Sequence, residues 1–299
     1  MTTLHANPDA SASMGEAISV RLTSLAAFSD EDRALTRLYL SPAHRKAADL
    51  VIRWMRDAGM SARIDSVGNV VGRYEADRSL ARTLILGSHI DKVRRAGSYD
   101  GNLGVVTAIE TIDRLHSEGR RLPFAFEVVA FGDEEGVRFP STLGGSRALA
   151  GLFDAAILDE RDAVGVSRRE ALVAFGCDPS RIAEEARPFE NVIGYVEVHI
   201  EQGPVLEFEN RPVGVVTAIS GASRGEVRIV GEERPRRRDA HALAARRSGR
   251  CRGHDLGNRE PRPRGTGAGR DDRTAGDRPS RREYGAWSRV LRTRCPRAG

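Results

Sequence analysis

Cysteine is scarce in this 299-residue chain: Cys177, Cys251 and Cys295 are widely spaced and odd in number. That excludes a disulfide framework and a paired-cysteine zinc site, and a reducing, cytoplasmic compartment is expected. Long hydrophobic runs are absent as well. No stretch reaches about 18 apolar residues, so no membrane span is expected. The opening MTTLHANPDASASMGEA has neither the basic start nor the apolar centre of a secretory signal. Lysine occurs twice, at Lys46 and Lys92. Past Glu232, Ile, Phe, Met and Lys vanish, and three Leu and one Val remain. A segment that poor in apolar residues cannot offset its ordering entropy, so residues 233–299 are expected to be disordered.

Charge is present but unevenly spread. From Glu233 to Gly299 there are 20 Arg against 8 acidic residues, a balance of +12. The whole chain carries +5, so Met1 to Glu232 carries −7. An acidic body is joined to a basic tail, and the two are read separately. Clustered Arg neutralises phosphates, but the tail's basic residues are irregular and its only aromatics are Tyr284 and Trp287. No specific nucleic-acid partner is expected.

The body alternates helix and strand patterns. Ser41-Pro42 is an N-cap and first-turn pair. The helix it opens carries apolar residues at Ala47, Leu50, Val51, Trp54 and Met55 and stops at Gly59. SARIDSVGNVVGRYE reads as two strands turning at Gly68-Asn69. TLILGSH, FAFEVVAF and IGYVEVHI read as buried strands, and GVVTAIETIDRLHSEG as an amphipathic helix closed by Gly119. VGVVTAIS and EVRIVGE look like strands of a new sheet after Arg211-Pro212. The expected fold is α/β, a sheet with helices on both faces. It is divided into a body (1–211), the start of a second small domain (212–232) and the tail.

Polar clusters follow the apolar strands. TLILGSH delivers His89, and Asp91 two residues on can bond its second ring nitrogen, fixing the tautomer of a metal ligand. In SYDGNLG, Asp100 sits in a glycine-flanked turn before a helix, where a carboxylate can bridge two cations or simply cap the turn. VVAFGDEEGVRF sets three acids side by side. Their repulsion calls for a cation or a shared proton, with Glu135 as ligand and Glu134 as the base that takes a proton from water. VEVHIEQGPVLE delivers His199, then Gln202, whose amide can pair with an amide-like substrate. Clusters in this position fall where α/β sheets place their sites. His, Asp, Glu and His suit two divalent ions, Zn²⁺ or Mn²⁺, which together activate a water and polarise a carbonyl.

The segments GSHIDKVRRAGSYDGNLGV, FGDEEGVRFPSTLGGSRALAG and VEVHIEQGPVLE resemble the metal-dependent amidohydrolases of the M20 peptidase superfamily. The resemblance is to the branch of N-carbamoyl-L-amino-acid hydrolases and allantoate amidohydrolases, and it covers roughly residues 17–232. It implies that His89 and His199 bind one metal, Asp100 bridges, Glu135 binds the second metal, Glu134 is the base and Asp91 orients His89. It implies Gln202 near a small ureido substrate bearing a carboxylate, and a metal-binding α/β domain with an inserted lid domain that mediates a homodimer. A His at the HIEQG position favours amidohydrolase over exopeptidase chemistry, and RFP after DEEGV favours allantoate. An M20 dipeptidase-like activity and a non-catalytic remnant binding a single metal are the alternatives.

The resemblance stops at GEERPRRRDAHALAARRSGR, where a His-Ala-Gly…Met-Pro segment is expected. The final metal-ligand His has no counterpart, since neither His241 nor His254 has a matching context, so the second metal is expected to lack a ligand and activity to be impaired. A shifted reading frame is the expected origin of the tail. Arg237 to Leu243 is compatible with codons that, displaced by one base, read Gly-Ala-Met-Pro-Thr-Arg-Ser.

Overall fold

A computed structural model describes residues 8–219 of the protein, with side-chain surroundings from residue 14. The chain divides into two units, Met1–Val216 and Thr217–Gly299, and the fold below is that of the first. The EVRIVGE strand, the tail and its expected disorder, His241 and His254 lie outside the described residues.

Helix α1 runs Pro8–Ala26 and helix α2 Pro42–Asp57. The Ser41 hydroxyl accepts the His44 N–H at 3.1 Å, Pro42 starts the first turn, and Ala43, Ala47, Ala48, Val51 and Met55 form one buried stripe. Gly59 (φ +75°) ends it as expected. Strands β1 (Ser61–Ile64) and β2 (Val70–Tyr74) form an antiparallel hairpin. Its turn is held by the Asp65 carboxylate, which accepts the N–H groups of Val67 and Asn69. Strand β3 (Thr83–His89), helix α3 (Asn102–Ser117) and strand β4 (Ala125–Phe131) follow. The short helix α4 (Gly144–Leu149) and helix α5 (Arg168–Phe175) come next, among short 3₁₀ segments. Strand β5 (Val192–Val196) and the one-turn helix α6 (Val205–Phe208) close the unit.

The sheet order is β1-β2-β4-β3-β5. β2 is antiparallel to β4, whereas β3 runs parallel to both β4 and β5. The pleat separates the two faces of β4. Phe126, Val128 and Ala130 join the main core with residues of α1, α2 and α3, while Val129 and Phe131 join a small cluster with Val71, Ile85 and Leu149 of α4. Helices therefore lie on both faces, but unequally.

Two strand expectations change. IGYVEVHI is strand only to Val196, and it is a half-exposed edge rather than a buried strand, because among the described residues nothing pairs with its outer side. Residues 213–219 of VGVVTAIS form no strand among the described residues. An extended segment needs a neighbour for its backbone hydrogen bonds, and the described residues offer none. No described helix is long and apolar enough to cross a membrane.

Candidate metal centre

The three parallel strands end on the same side, and each leads into a polar residue. His89 is the last residue of β3 and pairs in register with Phe131, the last of β4, so the chain carrying Glu134 and Glu135 leaves β4 beside it. His199 follows β5 by three residues. Asp100 enters from the turn before α3. Gly101 (φ +60°) lies so close that a Cβ there would fall 2.5 Å from the His89 ring.

His89, Asp100 and His199 meet with their ligand atoms all within 4.8 Å of one another. His199 Nε2 lies 3.3 Å from Asp100 Oδ1 and 3.4 Å from His89 Nε2, and the two rings are stacked 30° apart. His89, Glu134 and Glu135 form a second such group, with Glu134 Oε2 3.9 Å from His89 Nε2. The Asp100 carboxylate also acts on Glu135 at close range, so the two groups adjoin. All four ligand candidates and the base thus come together. His89 is buried, while the Glu134 side chain is 45% exposed and that of His199 30% exposed.

Two residues sit differently from expectation. The Asp91 carboxylate is 3.9 Å from His89 Nδ1, which instead faces the Asp91 main-chain carbonyl at 3.0 Å. The carboxylate accepts the N–H groups of Glu134 and Glu135, each at 3.2 Å. Asp91 therefore fastens the β3 end to the loop after β4. Gln202 donates its side-chain amide to Asp100 Oδ1 at 3.1 Å, so here it supports a candidate ligand.

Burial governs the electrostatics. Glu135 is pushed up to about 7, chiefly by desolvation and then by the charges of Glu134 and Asp100. Asp91 is pushed up to about 8 by burial and then by Asp133. His89 is lowered, again mainly by burial. Glu135 Oε1 is buried without a hydrogen-bond partner. Two imidazoles and a cluster of acids held against their own repulsion, one oxygen of them orphaned, fit divalent cations.

The loop after β4 is braced from behind. Asp133 has φ +65°, an unusual backbone for a non-glycine. Its carboxylate pairs with the buried Arg168 guanidinium, which also reaches the Ser141 carbonyl (3.0 Å) and Glu160 (3.2 Å). Thr142 Oγ donates to the Glu134 carbonyl. Arg168 carries no local sequence signal, since its partners are distant in the chain.

The pattern of peptidase family M20/M25/M40 matches residues 85–276, which takes in every residue of this centre and runs past Glu232. The chain belongs to the M20 peptidase family. Among curated M20 relatives, an allantoate deiminase of Arabidopsis thaliana is 43% identical over 217 residues, 71% of this chain and 41% of that protein. An N-carbamoyl-L-amino acid amidohydrolase of Geobacillus stearothermophilus is 44% identical over 187 residues, 62% of this chain and 46% of that protein. The crystal structure of a hydantoinase/carbamoylase family amidase from Burkholderia ambifaria superposes with a TM-score of 0.61. It is 33% identical and covers 66% of this chain and 47% of that one. This M20 chain spans less than half the length of those curated relatives.

Proposed function

We propose that the protein hydrolyses C–N bonds of small ureido compounds bearing a carboxylate, with allantoate and N-carbamoyl-L-amino acids as substrates. The observation that carries this is the convergence of His89, Asp100 and His199 beside Glu134 at the ends of three parallel strands. The names of the M20 relatives supply the substrate class. We place the activity in the cytoplasm, on the scarcity of cysteine.

His89, Asp100 and His199 would hold one divalent ion, Zn²⁺ or Mn²⁺, and Glu135, sharing Asp100 as a bridge, a second that lacks its terminal histidine ligand. Such ions supply Lewis acidity toward a carbonyl and toward water. Glu134 is the half-exposed acid of the cluster, with its N–H and carbonyl both fastened. It takes the proton of the attacking water and returns it to the departing nitrogen. Gln202 donates its amide N–H to Asp100 and would offer its carbonyl oxygen to the ureido N–H groups.

The test is ammonia release from both substrates by protein loaded with Zn²⁺ or Mn²⁺. Weak turnover is expected, since the second ion lacks its histidine ligand, and Glu134→Gln should lower it about 10²–10⁴-fold while metal still binds. Metal binding without turnover on any ureido compound contradicts the proposal, as does hydrolysis of dipeptides in their place.

A further inference from the structure

His199 lies beyond the sheet that delivers it. The pairing of β5 with β3 ends at Leu86 and Val196, so residues 197–199 carry the ring past the last rung of the ladder. The ring is turned within its own segment, with Nδ1 facing the Ile200 carbonyl at 2.9 Å. The path of that segment therefore decides where Nε2 meets His89 and Asp100. Glu197 ties the segment down. One of its carboxylate oxygens accepts the Ser88 hydroxyl at 2.8 Å, and the other accepts the Tyr195 hydroxyl at 2.8 Å. Ser88 is buried in β3 and directly precedes His89. Tyr195 belongs to β5, and its ring leans on Phe131 at the end of β4, with centroids 6.4 Å apart. The first turn of α3 leaves room for the same path: a Cβ on Gly104 would fall 2.3 Å from the Val198 carbonyl oxygen. Glu197 itself belongs to neither ligand group.

We infer that Glu197 is a positioning residue of the metal centre: its carboxylate clasps Ser88 and Tyr195, takes over from the strand ladder past Val196, and holds His199 opposite His89. The inference rests on the metal-centre reading of His89, Asp100 and His199. Ser88 and His89 are neighbours in one strand, so the clasp references one imidazole to the other.

The test is calorimetric titration of the metal-depleted full chain with Zn²⁺, together with the visible absorption of the Co²⁺-loaded protein, which reports ligand geometry. Wild type is compared with Glu197→Ala, Glu197→Gln, Ser88→Ala and the Glu197→Ala/Ser88→Ala double variant. Glu197→Ala should weaken the first ion about 10–100-fold, the cost of losing a partner that orients a ligand, and should shift the Co²⁺ bands. Glu197→Gln should recover most of the affinity, since an amide accepts from one hydroxyl and donates to the other. Ser88→Ala should lose affinity too, and the double variant little more than Glu197→Ala, because both changes open one clasp. Affinity and Co²⁺ bands unchanged in Glu197→Ala overturn the inference. So does a loss that Glu197→Gln shares in full, which traces it to charge and not to position. A loss of affinity that comes only with loss of the cooperative thermal transition makes Glu197 a residue of the fold and overturns it as well. Wild type that binds no ion would instead remove the metal-centre reading and the inference with it.

Discussion

Gly101 shows how little room separates the bridging turn from its neighbour. At φ +60° it holds a conformation that side chains strain to adopt, and a Cβ would press on the ring of His89. Gly101→Ala should therefore cost roughly 1–3 kcal/mol of backbone strain and displace His89. Thermal unfolding and metal titration should show both losses, and undiminished metal affinity would contradict the close packing. At this scale the centre was largely legible. Histidines and acids stand out after apolar strands, because such residues are costly there without a task. The Asp91 hydrogen bond was harder to read. Two-residue spacing gives proximity to His89, but whether the carboxylate or the carbonyl faces the ring depends on the loop after β4, which claims the carboxylate for its own N–H groups.

His44 lies in the first turn of α2, stacked on Phe175 of α5 at 5.1 Å, with Nδ1 accepting the Leu40 N–H at 2.9 Å. Burial and the nearby Arg37 and Arg138 charges lower it from 6.5 to about 3. Between those pH values the unfolded chain binds a proton that folded His44 refuses. Stability contributed by the neutral ring is therefore complete above about pH 6.5 and falls by about 1.4 kcal/mol per unit below it. His44→Asn keeps an acceptor but not the titration. Urea unfolding from pH 7 to pH 4 should show the stability gap between wild type and variant closing as pH falls, and a constant gap would contradict the assignment. The cap and stripe of α2 were readable because they are local. The edge position of β5 and the Arg168 brace were not, since both depend on what lies across space from them.

In the whole molecule, the parallel trio β4-β3-β5 gathers residues from 89 to 199 at one end of a sheet, with the long helices on one face. Strand and helix alternation announced such a sheet. The hairpin turning at Gly68-Asn69 was legible as well, but neither its antiparallel pairing with β4 nor the unequal covering of the faces was, because the pattern of apolar residues records burial and not the partner. The central claim is that the ends of these strands build one metal site. Its most direct test is Zn²⁺ or Mn²⁺ titration of wild type against His199→Ala, which removes the ligand furthest in sequence from His89. Losing a mere supporting partner of a metal ligand costs about 10–100-fold in affinity, so losing the ligand should cost roughly a hundredfold or more. A His199→Ala protein that binds metal as tightly as wild type would contradict the account.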